Sequence, residues 1–376
     1  MELVLIVCLL LAYVLIWTIV AVFRVSEPKN LPPGPTRLPI IGNLHLLGDQ
    51  PHRSLAKLAE IHGPIMSLKL GHITTVVISS ADATKEVIQN HDIAFSARHV
   101  PDAVNAHNHA NHSVVFLPAS TEWRTLRRIL NTNIFSNNSL EAKQHLRSQK
   151  VEELIAYCRK ASLSNDYVCI SRAAFRTTLN LLSNTIFSKD LVDPYEDSGK
   201  EFKEVIESIM NESGKINVVD YFPVLKKIDP HGIRRRMTHH IGKIVEIFDE
   251  LVEERLQIRS KQDDVLDVCL KIIQENPNEI NLKYIKSLFL DLFVAGTDTS
   301  SSTVEWAMTE VLRNPRILTK AKGELEQVIG KGKIVKEDDI SRLPYLSCIV
   351  KETLRLHTPI VFSSTISTTF SGSITW

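Results

Sequence analysis

The sequence predicts a mainly α-helical fold with a small N-terminal β-sheet. Three observations carry that expectation. Beyond Ser80, apolar residues recur at three- and four-residue spacing in long segments, the signature of one-sided helices. Before them stand two short runs rich in β-branched residues, Ile65–Leu70 and Ile73–Ser79, joined by the turn Gly71-His72. And 376 residues with 44% hydrophobic and 23% charged content are enough to bury one large core or two ordinary ones. The balance of 44 Lys+Arg against 43 Asp+Glu excludes the basic footprint of a nucleic-acid binder.

At the N-terminus, Leu3 to Phe23 is an apolar run whose one strongly polar side chain is Thr18. At ~1.5 Å per residue it is about long enough to cross ~30 Å of hydrocarbon. It lacks the basic start and the small-residue cleavage site of a signal peptide, so residues 1–23 read as a permanent single-pass anchor. Arg24 and Lys29 follow the span, which places the body in the cytosol. Residues 24–40 hold Leu31-Pro32-Pro33-Gly34-Pro35, a stiff spacer with a pivot expected at Gly34.

Residues 41–362 form the expected body. Helical spacing marks segments near 81–90, 121–132, 140–160, 172–188, 199–213, 233–259, 263–275, 282–313, 315–329 and 345–357. Asn314-Pro315 caps and opens one of them, Gly330 ends it, and Pro344 and Pro359 bracket the last. Residues 363–376 break the pattern, with nine Ser/Thr in fourteen positions and no charge, and read as an unrelated tail. Cys8, Cys158, Cys169, Cys269 and Cys348 form no CxxC pair, which suits reduced thiols.

Chemistry concentrates in three places. The long helix near 282–313 contains Ala295-Gly296-Thr297-Asp298-Thr299-Ser300. The Thr299 hydroxyl can compete for the Ala295 carbonyl and loosen the helix beside Gly296, making a polar notch with Asp298 beside it. Such a notch suits binding a small polar molecule and relaying protons. A packing glycine with exposed hydroxyls explains the same residues, and the seven-residue repeat Asp291, Asp298, Glu305 fits a solvated stripe. In Trp123-Arg124-Thr125-Leu126-Arg127-Arg128, Trp123 and Arg127 share a face on which an indole N–H and a guanidinium could hold a carboxylate. An ordinary amphipathic helix with surface arginines explains it too. Glu352 and Arg355 are an i,i+3 pair that matters only if buried.

In this order, anchor, proline spacer, Trp-x-x-x-Arg, Ala-Gly-x-Asp-Thr and Glu-x-x-Arg resemble the plant microsomal cytochromes P-450, as far as about His357. The segments LPPGPTRLPIIGNLHLLGDQPHRSLAKLA and LDLFVAGTDTSSSTVEWAM are similar to the subgroup containing geraniol 8-hydroxylase. The resemblance implies a cytochrome P-450 fold without its C-terminal section, and haem as cofactor. It implies an oxidoreductase, a monooxygenase that hydroxylates a monoterpenol such as geraniol or another small apolar plant metabolite. Electrons would come from NADPH-cytochrome P-450 reductase at the endoplasmic reticulum membrane, with membrane lipid around the anchor. It further implies that Trp123 and Arg127 bind haem propionates, that Thr299 and Asp298 serve dioxygen activation, and that Glu352 and Arg355 brace the proximal side. Arg124 and Arg128 would face the reductase, and Phe116, Leu292 and Ala295 the substrate pocket.

The family's Phe-x-x-Gly-x-x-x-Cys-x-Gly loop, whose cysteine ligates the haem iron, does not occur in these residues, so no metal ligand is assigned. The alternative expectation is a catalytically inactive, membrane-anchored fragment. His107, His109 and His112 cluster among asparagines. Their surroundings predict a mobile loop, the resemblance a pocket rim, and a zinc site would need about four ligands.

Overall fold

The computed structural model describes residues 6–7, 9–14, 16–17, 31–193, 200–258 and 262–360. Its described part is helical but for one antiparallel hairpin. Most of the anchor run, spacer residues 24–30 and the tail 363–376 lie outside the described residues. No helix among the described residues is long and apolar enough to cross a membrane.

The chain divides into two units. The first gathers residues up to Asp102 with Ile216–Gly232. In it, β1 (Ile65–Leu70) pairs with β2 (Ile73–Ile78) in the register Leu70↔Ile73, leaving two residues for the turn. Gly71 takes the left-handed φ of +56° that this turn requires. Leu47, Leu68 and Leu70 form a small core under Leu55 and Leu58 of α1 (Pro51–His62) and Tyr221 of α8 (Val218–Tyr221). Helix α1 carries signals the sequence reading passed over: Pro51 at its first position and Gly63 at φ +97° beyond its end. The proline spacer is not a hinge. Ser67 donates to the carbonyls of Pro33 (2.9 Å, through N–H) and Pro32 (2.7 Å, through Oγ). A Cβ on Gly34 would lie 2.0 Å from the Ser67 carbonyl oxygen, so the glycine serves close approach and not pivoting. The same unit holds α2 (Ala81–Lys85), which Ser80 caps by accepting from Ala83 N–H.

The second unit, Ala103–Lys215 with Ile233–Val361, contains every candidate site residue. Its helices are α3 (Thr121–Asn133), α4 (Asn137–Ala142), α5 (Gln144–Leu163), α6 (Ile170–Phe187), α7 (Lys200–Gly214), α9 (Ile233–Ile258), α10 (Val265–Glu275), α11 (Leu282–Arg313), α12 (Pro315–Val328) and α13 (Pro344–Leu356). One continuous core joins α3, α6, α7, α9, α10 and the first half of α11. At its centre Phe187 of α6, Phe248 of α9, and Phe289 and Phe293 of α11 pack ring against ring, with Phe187–Phe289 at 5.2 Å edge-on and Phe248–Phe293 at 5.3 Å. These contacts fix the N-terminal half of α11, and with it the predicted notch. The residues around His107 are packed as well, contrary to the mobile-loop expectation. Ala103, Val104, Ala106 and Ala110 are buried, and their small size among polar neighbours hid that in the sequence.

Candidate functional site

Helix α11 starts where Asn281 accepts the Lys283 N–H, and its helical pattern runs unbroken to Arg313. The hydrogen bonds expected of the notch are present: Thr299 Oγ1 donates to the Ala295 carbonyl at 2.5 Å, and Thr297 to the Phe293 carbonyl at 2.6 Å. They do not open the helix, because each hydroxyl bonds a carbonyl that still accepts its backbone partner. Gly296 has a packing reason. A Cβ there would sit 2.8 Å from Leu182 Cδ1 of α6, so the glycine lets the two helices meet. The packing-glycine reading and the hydroxyl-notch reading therefore describe neighbouring faces of one stretch. Leu182 covers Gly296, while Ala295 stays exposed with Thr299 one turn on.

The acidic stripe is not uniformly solvated. The Asp291 side chain is largely enclosed, Asp298 is half-buried and Glu305 exposed. Burial, and then the neighbouring Glu207 of α7, push the Asp298 carboxyl above the usual carboxylate range, against the opposing pull of Lys203. A carboxyl raised in the fold binds its proton more tightly there than in the unfolded chain. Its ionisation therefore costs stability above that raised pKa, and costs nothing below the ordinary carboxylate range. Asp298→Asn is accordingly expected to raise the melting temperature at pH 7. The gain should vanish as pH falls below about 4, where the wild-type carboxyl is neutral in both states. A gain unchanged by pH would show that ionisation of Asp298 is not what costs stability, and a loss at pH 7 would show that its carboxylate has a stabilising partner.

On α3, Ser120 caps the start by accepting the Trp123 N–H at 3.2 Å. Thr125, Leu126, Ile129 and Leu130 turn into the core, which leaves Arg124, Arg127 and Arg128 exposed. Trp123 and Arg127 do share a face, the guanidinium carbon 5.9 Å from the indole ring centre. The indole N–H, however, already donates to the Val114 carbonyl at 3.0 Å. Arg127 is thus the residue of the pair that presents a charge outward. Glu352 and Arg355 form their ion pair at 2.7 Å, with side chains 55% and 66% exposed. Phe116 and Leu292 are half-buried, and Leu292 packs against the core.

The three histidines go separate ways. His107 Nε2 donates to the Thr238 carbonyl at 2.9 Å, His109 Nε2 to Asp291 at 2.9 Å, and the His112 ring meets Tyr284 edge-on. Among the described residues no group of three or more His, Cys, Asp or Glu could hold a metal ion. The four described cysteines are free. Cys269 is closed in the core, where burial pushes its thiol up to about 12, while Cys348 is exposed on α13.

A family model described as "Cytochrome P450" matches residues 32–369. The chain is similar to 7-ethoxycoumarin O-deethylase of Helianthus tuberosus, 72% identical over 93% of this chain and 71% of the relative. It is 62% identical to geraniol 8-hydroxylase of Catharanthus roseus, over 89% of this chain and 68% of that protein. To geraniol 8-hydroxylase of Swertia mussotii it is 60% identical, over 90% of this chain and 69% of the relative.

Proposed function

This chain belongs to the cytochrome P450 family, and on that premise we propose that it hydroxylates or O-dealkylates a small apolar plant metabolite, a monoterpenol or an aryl ether. The family is haem-dependent and its members are monooxygenases, so the reaction is an oxidation. The observation that supports this reading best is the outward face of α11, where exposed Ala295 and the Thr299 hydroxyl stand beside the buried Phe293 and Thr297 of the same helix.

Two groups of described residues have the chemistry that a flat, doubly anionic cofactor requires. Ala295 and Thr299 offer a small-residue face against which a ring can lie, and exposed Arg127 offers the charge for an anionic edge. None of the cysteines stands in the ligand loop named above. When bound, haem supplies the iron on which dioxygen is activated. The residues of this chain would do the rest. Arg127 would orient the cofactor by its carboxylates, with Trp123 holding the guanidinium side of that contact. The Thr299 hydroxyl, one turn beyond Ala295, would hold a proton at Oγ1 beside the reacting oxygen. Asp298, whose carboxyl burial keeps ready to take up a proton, would resupply it. Phe116, Leu292 and Ala295 would shape the apolar pocket. Exposed Arg124 and Arg128 would meet the acidic face of NADPH-cytochrome P-450 reductase, and residues 3–23 would anchor the assembly in the endoplasmic reticulum membrane.

The test joins residues 1–357 to the unmatched C-terminal remainder of the Helianthus relative and supplies reductase, NADPH, geraniol and 7-ethoxycoumarin. Oxidation of either compound is expected. Thr299→Ala should then divert most of the reducing equivalents into hydrogen peroxide, with product per NADPH falling about tenfold, in line with the loss of a proton-delivering group. A haem-loaded chimera that oxidises neither compound would overturn the substrate class. Unchanged product per NADPH in Thr299→Ala would return Thr299 to a packing role.

A further inference from the structure

Asp291 lies on α11 seven residues before Asp298, its side chain only 8% exposed. Its two carboxylate oxygens serve two residues of one segment: His109 Nε2 donates to Oδ1 at 2.9 Å and Ser113 Oγ to Oδ2 at 2.7 Å. The Ser113 hydroxyl accepts in turn from Val115 N–H at 3.1 Å, and its carbonyl accepts from Leu117 N–H at 2.9 Å. Between them stands Val114, whose carbonyl takes the Trp123 indole N–H at 3.0 Å. An unbroken run of side-chain and backbone contacts therefore leads from the notch's own helix, through Ser113 and Val114, to the ring beside Arg127.

The segment that carries this run is held in an unfavourable backbone. His107 and Asn108 are left-handed, at φ 53° and 57°, without being glycine. Such a conformation persists only where its surroundings over-determine it. Here the Asp291 clasp, the His107–Thr238 bond and the His112–Tyr284 contact do so.

We infer that Asp291 is a positioning residue: through Ser113 and the Val114 carbonyl it sets where Trp123 stands, and thereby where Arg127 stands relative to Ala295 and Thr299. The consequence for the cofactor rests on the reading of Arg127 and Trp123 given above. A carboxylate is required because two donors converge on it. An amide offers one acceptor oxygen and would turn an N–H against the other donor.

The experiment labels the full chain with 5-fluorotryptophan in detergent micelles and records fluorine spectra, the Trp123 signal being assigned by Trp123→Phe. Asp291→Ala and Ser113→Ala are expected to shift and broaden the Trp123 signal while Trp306, on the same helix as Asp291, stays in place. Asp291→Asn should give a smaller shift, since it keeps one of the two bonds. If Asp291→Ala collapses every signal by unfolding the chain, Ser113→Ala decides, because it removes one hydroxyl. A Trp123 signal unmoved in Ser113→Ala overturns the inference. Haemin added to the wild-type chain keeps the two readings apart: a Trp123 signal that follows Ser113 but ignores haemin supports the clasp and refutes the cofactor-edge role.

Discussion

Arg255→Ala is expected to destabilise the second unit by about 3–5 kcal/mol, a large share of a typical net stability of ~5–15 kcal/mol. Arg255 of α9 is 11% exposed and donates to both oxygens of Asp264 at 2.8 Å, to Asp267 at 2.8 Å and to the Phe187 carbonyl at 3.0 Å. Asp264, 3% exposed, also accepts from Ser188 and caps α10 through the Asp267 N–H. The guanidinium thus ties the end of α6 and the start of α10 to α9. Removing it leaves a buried carboxylate without its countercharge, which costs far more than losing a surface pair. Arg255→Lys should recover part of the loss, since an ammonium keeps the charge without the two-pronged geometry. Urea unfolding followed by circular dichroism measures both variants. A loss below about 1 kcal/mol in the alanine variant would place the three groups in water.

A polypeptide of residues 1–376 and nothing more is expected to give no thiolate-type Soret band when reduced under carbon monoxide. The band needs a cysteine thiolate on the iron. The ligand loop does not occur in these residues, and Cys269 is enclosed in the core. Beyond the notch, Val304, Trp306, Met308 and Leu312 of α11 are exposed, as are Val350 and Leu354 of α13. Among the described residues these apolar side chains stay uncovered. Such exposed apolar area costs roughly 25 cal/mol per Å². Stoichiometric haem with the thiolate band would mean that a cysteine such as Cys348 reaches the iron, and Cys348→Ser would then abolish it.

Much of the fold was legible in local pattern. The bounds of α11 and the starts of α12 and α13 stand where Asn281, Pro315 and Pro344 put them, because those signals act within one turn of chain, although Asn314 precedes α12 without a side-chain cap. Helix α1 was missed even though Leu55 and Leu58 carry its period. None of its residues is fully buried, so its apolar period is carried by few positions and stands out weakly from the segment before it.

The candidate site divides along the same line. Residue types and their order determined the family resemblance, the Thr299–Ala295 hydrogen bond and the Trp123–Arg127 face, since each depends on residues three or four apart on one helix. Only the tertiary structure decided that the indole N–H is committed to Val114, that Gly296 serves Leu182, and that the acidic stripe is split between core and solvent. It alone joined His109 and Ser113 to Asp291, 182 and 178 positions away along the chain. Contacts at that separation leave no period in the sequence. They form only when packing holds two distant helices at one distance, and packing is set by the whole core at once.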